Sequence, residues 1–338
     1  MKRIVLHAGL PKTGTTSTQE FLARETEALA AHGILFPVPR ADLRERGRAQ
    51  GIGIGWHSAL TRLVSQKPGA LAPGEWEAWT DEFARFAADP SLHTLMLSQE
   101  GMLLNRKASG VRLLVDALPA GQRDVVLVLR PALGWLTSLW EQLVRGGDPV
   151  RPADFSRAHA YLNGGFARSI QTILQQVPDA RLRLFSFETL AAGEGLLVNF
   201  ARAIGLPEDV IARAAVAPRV NSGLPQDMVA ALLACNRAGI DQPAFVAIRG
   251  ALARAARRRK GRLPRASIFP EALTRAILDR YEADRRILRD HFGIDLPAEA
   301  PPPGDALALT PDDWQRLRAE AAPFLSATAQ AAWNRVSS

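Results

Sequence analysis

The sequence predicts an α/β fold with a mainly parallel sheet covered on both faces and a helical C-terminal part. Three observations carry this. Apolar runs at 3–8, 94–98, 124–129 and 182–187 have strand length, the segments between them have helical periodicity, and the first run passes through a glycine-bearing loop into a helical pattern. Strands that alternate with helices run in one direction, so the sheet is parallel and buried on both sides.

In chain order, Arg3 to Ala8 reads as a buried strand, followed by a helical pattern from about Thr15 to Ala31 that Gly33 closes. Ile34 to Phe36 is a short apolar run stopped by Pro37. The charged stretch 40–55, with Gly51, Gly53 and Gly55 at alternating positions, reads as a loop, and helical spacing returns at 56–64 and 73–88. After the strands Thr94 to Ser98, Asp124 to Leu129 and Leu182 to Phe187, helices are expected at Leu196 to Ile204, closed by Gly205, and at Glu271 to Phe292. A proline-rich linker at 297–304 precedes a last helical piece that Thr310 caps and that contains Trp314. The expected division is a main domain over 1–296 and a linker with helical extension over 297–338.

Composition narrows the function classes. With 47% hydrophobic and 22% charged residues the chain belongs with ordinary globular proteins. Cys235 is the only cysteine, which excludes an intramolecular disulfide framework and a cysteine zinc cluster and suits a reducing cytoplasm. No run approaches the ~20 apolar residues of a membrane span. The opening Met-Lys-Arg-Ile-Val-Leu meets His7 and Gly9 too soon for a signal peptide, so an unprocessed N-terminus is expected. The net charge is +8, and the acid-free segment 242–270 holds eight positive charges, at positions 249, 254, 257, 258, 259, 260, 262 and 265. The rest is balanced, so a polyanion argument concerns that segment alone and nucleic acid is not an expected partner.

The stretch His7 to Thr16, H-A-G-L-P-K-T-G-T-T, places glycines around a lysine and hydroxyl residues at a strand-to-helix junction. Amide N–H groups at a helix start point outward, the helix dipole adds positive potential, and Gly14 lets the backbone approach an anion. Lys12 adds a full charge, and Thr13, Thr15 and Thr16 add hydroxyls. Such a loop binds a phosphate or sulfonate. A nucleoside triphosphatase loop requires G-x-x-x-x-G-K-S/T, with lysine directly after the second glycine. Here Lys12 precedes Gly14, and the strand at 94–98 runs into Gln99 and Glu100, with no metal-binding aspartate. The spacing therefore disfavours a magnesium-dependent nucleotide kinase.

Pro11 to Thr16 closely resembles the phosphosulfate-binding loop of the sulfotransferase family, and the longer motif is similar to that of bacterial sulfotransferase-like proteins. A second match is R-P-A-L-G-W-L-T-S, in which Arg130 closes a strand and Ser138 follows eight residues later. The resemblance covers position 1 to about 205 and includes R-L-F-S-F-E-T-L near 183–190. It implies a P-loop-type three-layer sandwich and metal-free transfer of a sulfuryl group from 3′-phosphoadenylyl sulfate (PAPS) to an acceptor hydroxyl, leaving 3′-phosphoadenosine 5′-phosphate. It also implies that Pro11, Lys12, Thr13, Gly14, Thr15 and Thr16 cradle the donor, that Arg130 and Ser138 hold the 3′-phosphate, and that Lys12 reaches the bridging oxygen. Arg259, Lys260 and Gly261, preceded by Arg258, resemble the R-K-G of cytosolic family members, but the residues that follow it there are missing here.

Two residues compete for the role of base. Glu100 follows a strand at the edge where ligands of a parallel sheet collect, and His57 lies in G-W-H-S after the glycine-rich stretch. Branches of the family use either residue type. The expected acceptor is a hydroxyl compound, with a cell-surface saccharide ahead of lipids and small alcohols. Two rivals stay open: a P-loop nucleotide kinase, and a non-catalytic polyanion-binding protein that uses 242–270.

Overall fold

A computed structural model describes residues 1–38, 74–100, 111–217, 224–259, 268–300 and 309–336. Its strands are β1 (Arg3–His7), β2 (Ile34–Leu35), β3 (Thr94–Ser98), β4 (Gln122–Leu129) and β5 (Arg181–Ser186). They form an all-parallel sheet in the order β2-β3-β1-β4-β5. Alternate residues of β1, β3 and β4 are buried on both faces: Ile4, Leu6, Leu95, Leu97, Val125 and Leu127 on one, Val5, Met96, Val126 and Val128 on the other. The expected α/β fold of P-loop type is present. The second face packs with Phe21 and Leu22 of helix α1 (Thr15–Arg24) and with Val198, Phe200 and Ile204 of the helix Leu196–Ile204.

The chain divides into two compact units. The first comprises Met1–Arg130, Gly164–Val220 and Ala283–Pro297 and holds the sheet. At the amino edge of its strands, Arg3 Nη2 donates to Asp124 Oδ2 at 2.6 Å and Arg3 Nη1 to the carbonyl of Ile204 at 3.4 Å. Arg183 donates to the carbonyl of Ala203. Two arginines thus meet one buried carboxylate and the negative end of the helix Leu196–Ile204. Burial and the neighbouring Arg3 lower the proton affinity of Arg183. The helix Ser156–Gln176 is interrupted at Gly165, whose φ of 66° and ψ of −177° lie outside the helical region. Where it resumes, the amides of Phe166 and Ala167 donate to the fully buried carboxylate of Asp284.

The second unit, Pro131–Asn163, Asn221–Glu282 and Ala298–Ser338, is helical among its described residues. Trp140 and Trp333 are fully buried in it. Thr310 caps the helix Pro311–Ala321 in a reciprocal box with Asp313. Four described arginines of the basic segment, Arg249, Arg254, Arg258 and Arg259, make internal contacts. Arg249 Nη1 donates to the carbonyl of Arg145 at 2.7 Å, and Arg254 and Arg258 lie over Phe324. Arg259 pairs with Asp227 at 2.8 Å and Glu320 at 2.6 Å. Among the described residues no helix is long and apolar enough to cross a membrane.

Three element boundaries differ from the sequence expectation. The pattern over 15–31 is two helices, Thr15–Arg24 and Thr26–Ala31, because Glu25 adopts φ −95° and ψ 16°; Leu22 and Leu29 still enter the same core. Strand β4 begins at Gln122, whose pairing with Arg3 is a backbone matter that apolar periodicity does not report. Strand β5 ends at Ser186 because that hydroxyl accepts from Thr189 N and starts the helix Phe187–Ala191. The helical expectation at 56–64 lies outside the described residues.

Candidate anion-binding site at the carboxyl edge

Strand β1 delivers the chain into the loop between His7 and α1. Ala8 N donates to Val126 O and Gln99 N to His7 O, both at 2.8 Å, so the ladder reaches the loop on either side. Beneath it, His7 Nδ1 meets Ser98 Oγ at 2.9 Å, and Gln19 Nε2 donates to the carbonyl of Ser98 at 2.9 Å. A Cβ on Gly9 would come within 2.6 Å of Thr15 Oγ1, so the close packing requires glycine there. The carbonyl of Leu10 accepts the hydroxyls of Thr13 at 2.6 Å and Thr15 at 3.4 Å. Both threonines are buried and their hydroxyls shape the loop, whereas Thr16 is exposed.

Two backbone features give this loop the shape that an anion site requires. Lys12 has φ 69°, the one non-glycine residue with positive φ among the described residues, a strained conformation that the surrounding loop must hold. Gly14 takes φ 82° as the N-cap of α1, and a Cβ on it would lie 2.0 Å from Leu196 Cδ2. No side chain caps α1, and no acidic residue stands in its first turn. Its start therefore carries the helix's partial positive charge, about half an elementary charge, with no carboxylate of its own against it.

The parallel order brings further side chains to the same edge. Glu100, half-buried, lies two residues beyond Ser98, the register partner of His7. Arg130 follows β4; its Nη1 donates to the carbonyl of Lys12 at 3.4 Å and its Nε lies 3.5 Å from Glu188 Oε1. Burial, the largest influence, raises the Glu188 carboxyl above the usual glutamate range, against its own backbone amide, Arg130 and the Ser186 hydroxyl. The first unit thus gathers Pro11 to Thr16, Glu100 and Arg130 at strands β1, β3 and β4, beside the point where strand order reverses.

Ser138 belongs to the second unit, where it is 8% exposed on the helix Ala132–Arg145. The start of that helix carries a carboxylate: Glu299 accepts from the amides of Leu133 and Gly134, each at 2.8 Å. Arg259, named for its R-K-G context, is engaged by Asp227 and Glu320. His57, Lys260 and Gly261 lie outside the described residues. Sequence reasoning missed Phe187 and Glu188, although both stand in R-L-F-S-F-E-T-L; their nearness to Arg130 follows from the register that sets Ser186 beside Leu129.

No protein-family model matches the chain, and no curated protein matches it. Two sulfotransferases are among the solved structures that it resembles. A sulfotransferase from Alicyclobacillus acidocaldarius aligns at 14% identity and TM-score 0.38, covering 73% of this chain and 99% of that one. A sulfotransferase domain from the curacin biosynthetic pathway aligns at 14% identity and TM-score 0.39, covering 88% and 98%.

Proposed function

We propose that the chain is a sulfotransferase that moves a sulfuryl group from PAPS to an acceptor hydroxyl. The observation that carries this reading is the loop Pro11 to Thr16, with its lysine before the glycine, seated between β1 and the uncapped start of α1. The donor set suits a sulfated adenylate: backbone amides at a helix start, one ammonium group and a nearby guanidinium, with no carboxylate in the first turn of the helix. The bound nucleotide supplies an activated sulfuryl group, and the protein's own residues hold it and manage charge and proton around it.

In this reading the amides of Thr13 to Thr16 cradle the phosphate at the sulfated end. The Lys12 ammonium stabilises charge that develops there, an electrostatic role that needs no metal. Arg130 presents a planar fork to the second phosphate. Glu100, at the mouth of β3 beside the loop, takes the proton of the acceptor hydroxyl, and His57 is the alternative. Saccharides head the panel of acceptors to be tested, and a cytoplasmic location fits a chain with one cysteine.

Calorimetry with 3′-phosphoadenosine 5′-phosphate tests the reading. Lys12→Ala and Arg130→Ala are each expected to weaken binding at least about tenfold, the loss of a charge-assisted contact. Binding that neither change alters removes this pocket from consideration. Mass spectrometry for a gain of sulfate on an acceptor panel, with and without Glu100→Gln, then tests transfer; turnover is expected to fall by about 10² to 10⁴ with nucleotide affinity kept.

A further inference from the structure

Arg130 is held from three sides within the first unit. Its Nε lies 3.5 Å from Glu188 Oε1, its guanidinium carbon stands 5.1 Å from the centre of the Phe187 ring, and its Nη1 donates to the Lys12 carbonyl. The pairing of Leu129 with Ser186 sets Phe187 and Glu188 level with Arg130 at the ends of β5 and β4. Ser186 fixes that corner, because its hydroxyl accepts from Thr189 N and donates to Glu188 Oε2 at 3.2 Å.

We propose that Glu188 is the positioning residue for Arg130, aiming its guanidinium toward the phosphate loop and taking up a proton when a nucleotide phosphate arrives. This rests on the nucleotide-binding reading above. A phosphate at Arg130 brings up to two negative charges beside the Glu188 carboxylate and draws on the same guanidinium. Both effects favour the protonated form of Glu188. Its burial already inclines it that way, and among the described residues Arg130 is the charged side chain that acts against the inclination, beside its own backbone amide and the Ser186 hydroxyl. By linkage, a ligand that drives proton uptake binds more tightly as pH falls. An ion pair that merely braced the fold would show no such coupling to the ligand.

The test is calorimetric titration of the full chain with 3′-phosphoadenosine 5′-phosphate in buffers of different ionisation enthalpy, for wild type, Glu188→Gln and Glu188→Ala. At about pH 6 the wild type is expected to take up about 0.3 to 0.5 protons more per nucleotide than Glu188→Gln, a comparison that cancels the titration of the phosphate itself. Between about pH 7.5 and about pH 5.5 its Kd is expected to tighten about threefold more than that of Glu188→Gln. Glu188→Gln retains an acceptor for Arg130 Nε, whereas Glu188→Ala is expected to bind about tenfold more weakly than Glu188→Gln. Equal proton uptake and parallel pH profiles for wild type and Glu188→Gln would overturn the proton coupling, and equal affinity of the Gln and Ala variants would overturn the positioning role. A wild type that binds no nucleotide at any pH brings down the functional reading as well.

Discussion

The two edges of the sheet use the same side-chain chemistry to opposite ends. At the amino edge, Arg3 and Arg183 meet Asp124 and the last carbonyls of the helix Leu196–Ile204, so positive charge is matched within the fold. At the carboxyl edge, Lys12 and Arg130 stand beside the start of α1, where the dipole adds positive charge and no first-turn carboxylate offsets it. In a parallel sheet the helices that follow the strands begin at one edge and end at the other. Arginine at the negative end of a helix is matched within the fold; at the positive end of α1 no first-turn carboxylate stands, and in the proposed function a nucleotide phosphate supplies the anion.

The largest expected effect comes from removing the match at the amino edge. Asp124→Ala leaves two arginines facing each other without their carboxylate and is expected to destabilise the protein by about 3–5 kcal/mol, read from denaturant unfolding. Nucleotide affinity of the folded fraction is expected to stay unchanged; if it fell as well, the two edges would not be separable. Lys12→Gly sharpens the contrast from the other side. It relieves a positive φ, so stability is expected to rise by about 0.5–1 kcal/mol while nucleotide affinity falls at least about tenfold. A variant that lost both stability and binding would show that Lys12 braces the loop instead of carrying strain for a ligand.

The smallest effect concerns pH. The Glu188 carboxyl is raised in the folded state, so between the ordinary glutamate value and its folded value the native state binds more protons than the unfolded chain. Stability therefore declines as pH rises through that window, is fully present below it, and declines no further above it. Glu188→Gln is expected to flatten the decline, and the change is modest because the side chain is 37% exposed. An unchanged pH profile of unfolding would mean that burial does not disfavour the charge.

The strand–loop–helix opening was readable because it is local: glycine, lysine and threonine at fixed spacing specify one backbone path, and the helix Leu196–Ile204 with its Gly205 closure appears as its 3.6-residue pattern predicts. The break at Glu25 and the interruption at Gly165 were not, since a brief departure from helical angles leaves the apolar spacing almost intact. For the candidate site, the place of Lys12, Glu100 and Arg130 at the carboxyl edge was legible because each lies within two residues of a strand end or in the loop that leads into the first helix. Glu188 could not, because its relation to Arg130 depends on which strand lies beside which and in what register. Hydrogen bonding of Thr13 and Thr15 to a single carbonyl was equally hidden, for a hydroxyl in a sequence does not declare whether it faces a ligand or its own backbone.

That shared carbonyl also bears on the tempo of recognition. With Leu10 O gathering two hydroxyls, the turn stands ready before any visitor comes, and little chain freedom is left to freeze on capture. For the nucleotide of the proposed function, encounter is then a collision with a finished mould, governed by diffusion and by the attraction of charge across solvent, and its rate is expected to answer to ionic strength more than to any folding of the loop.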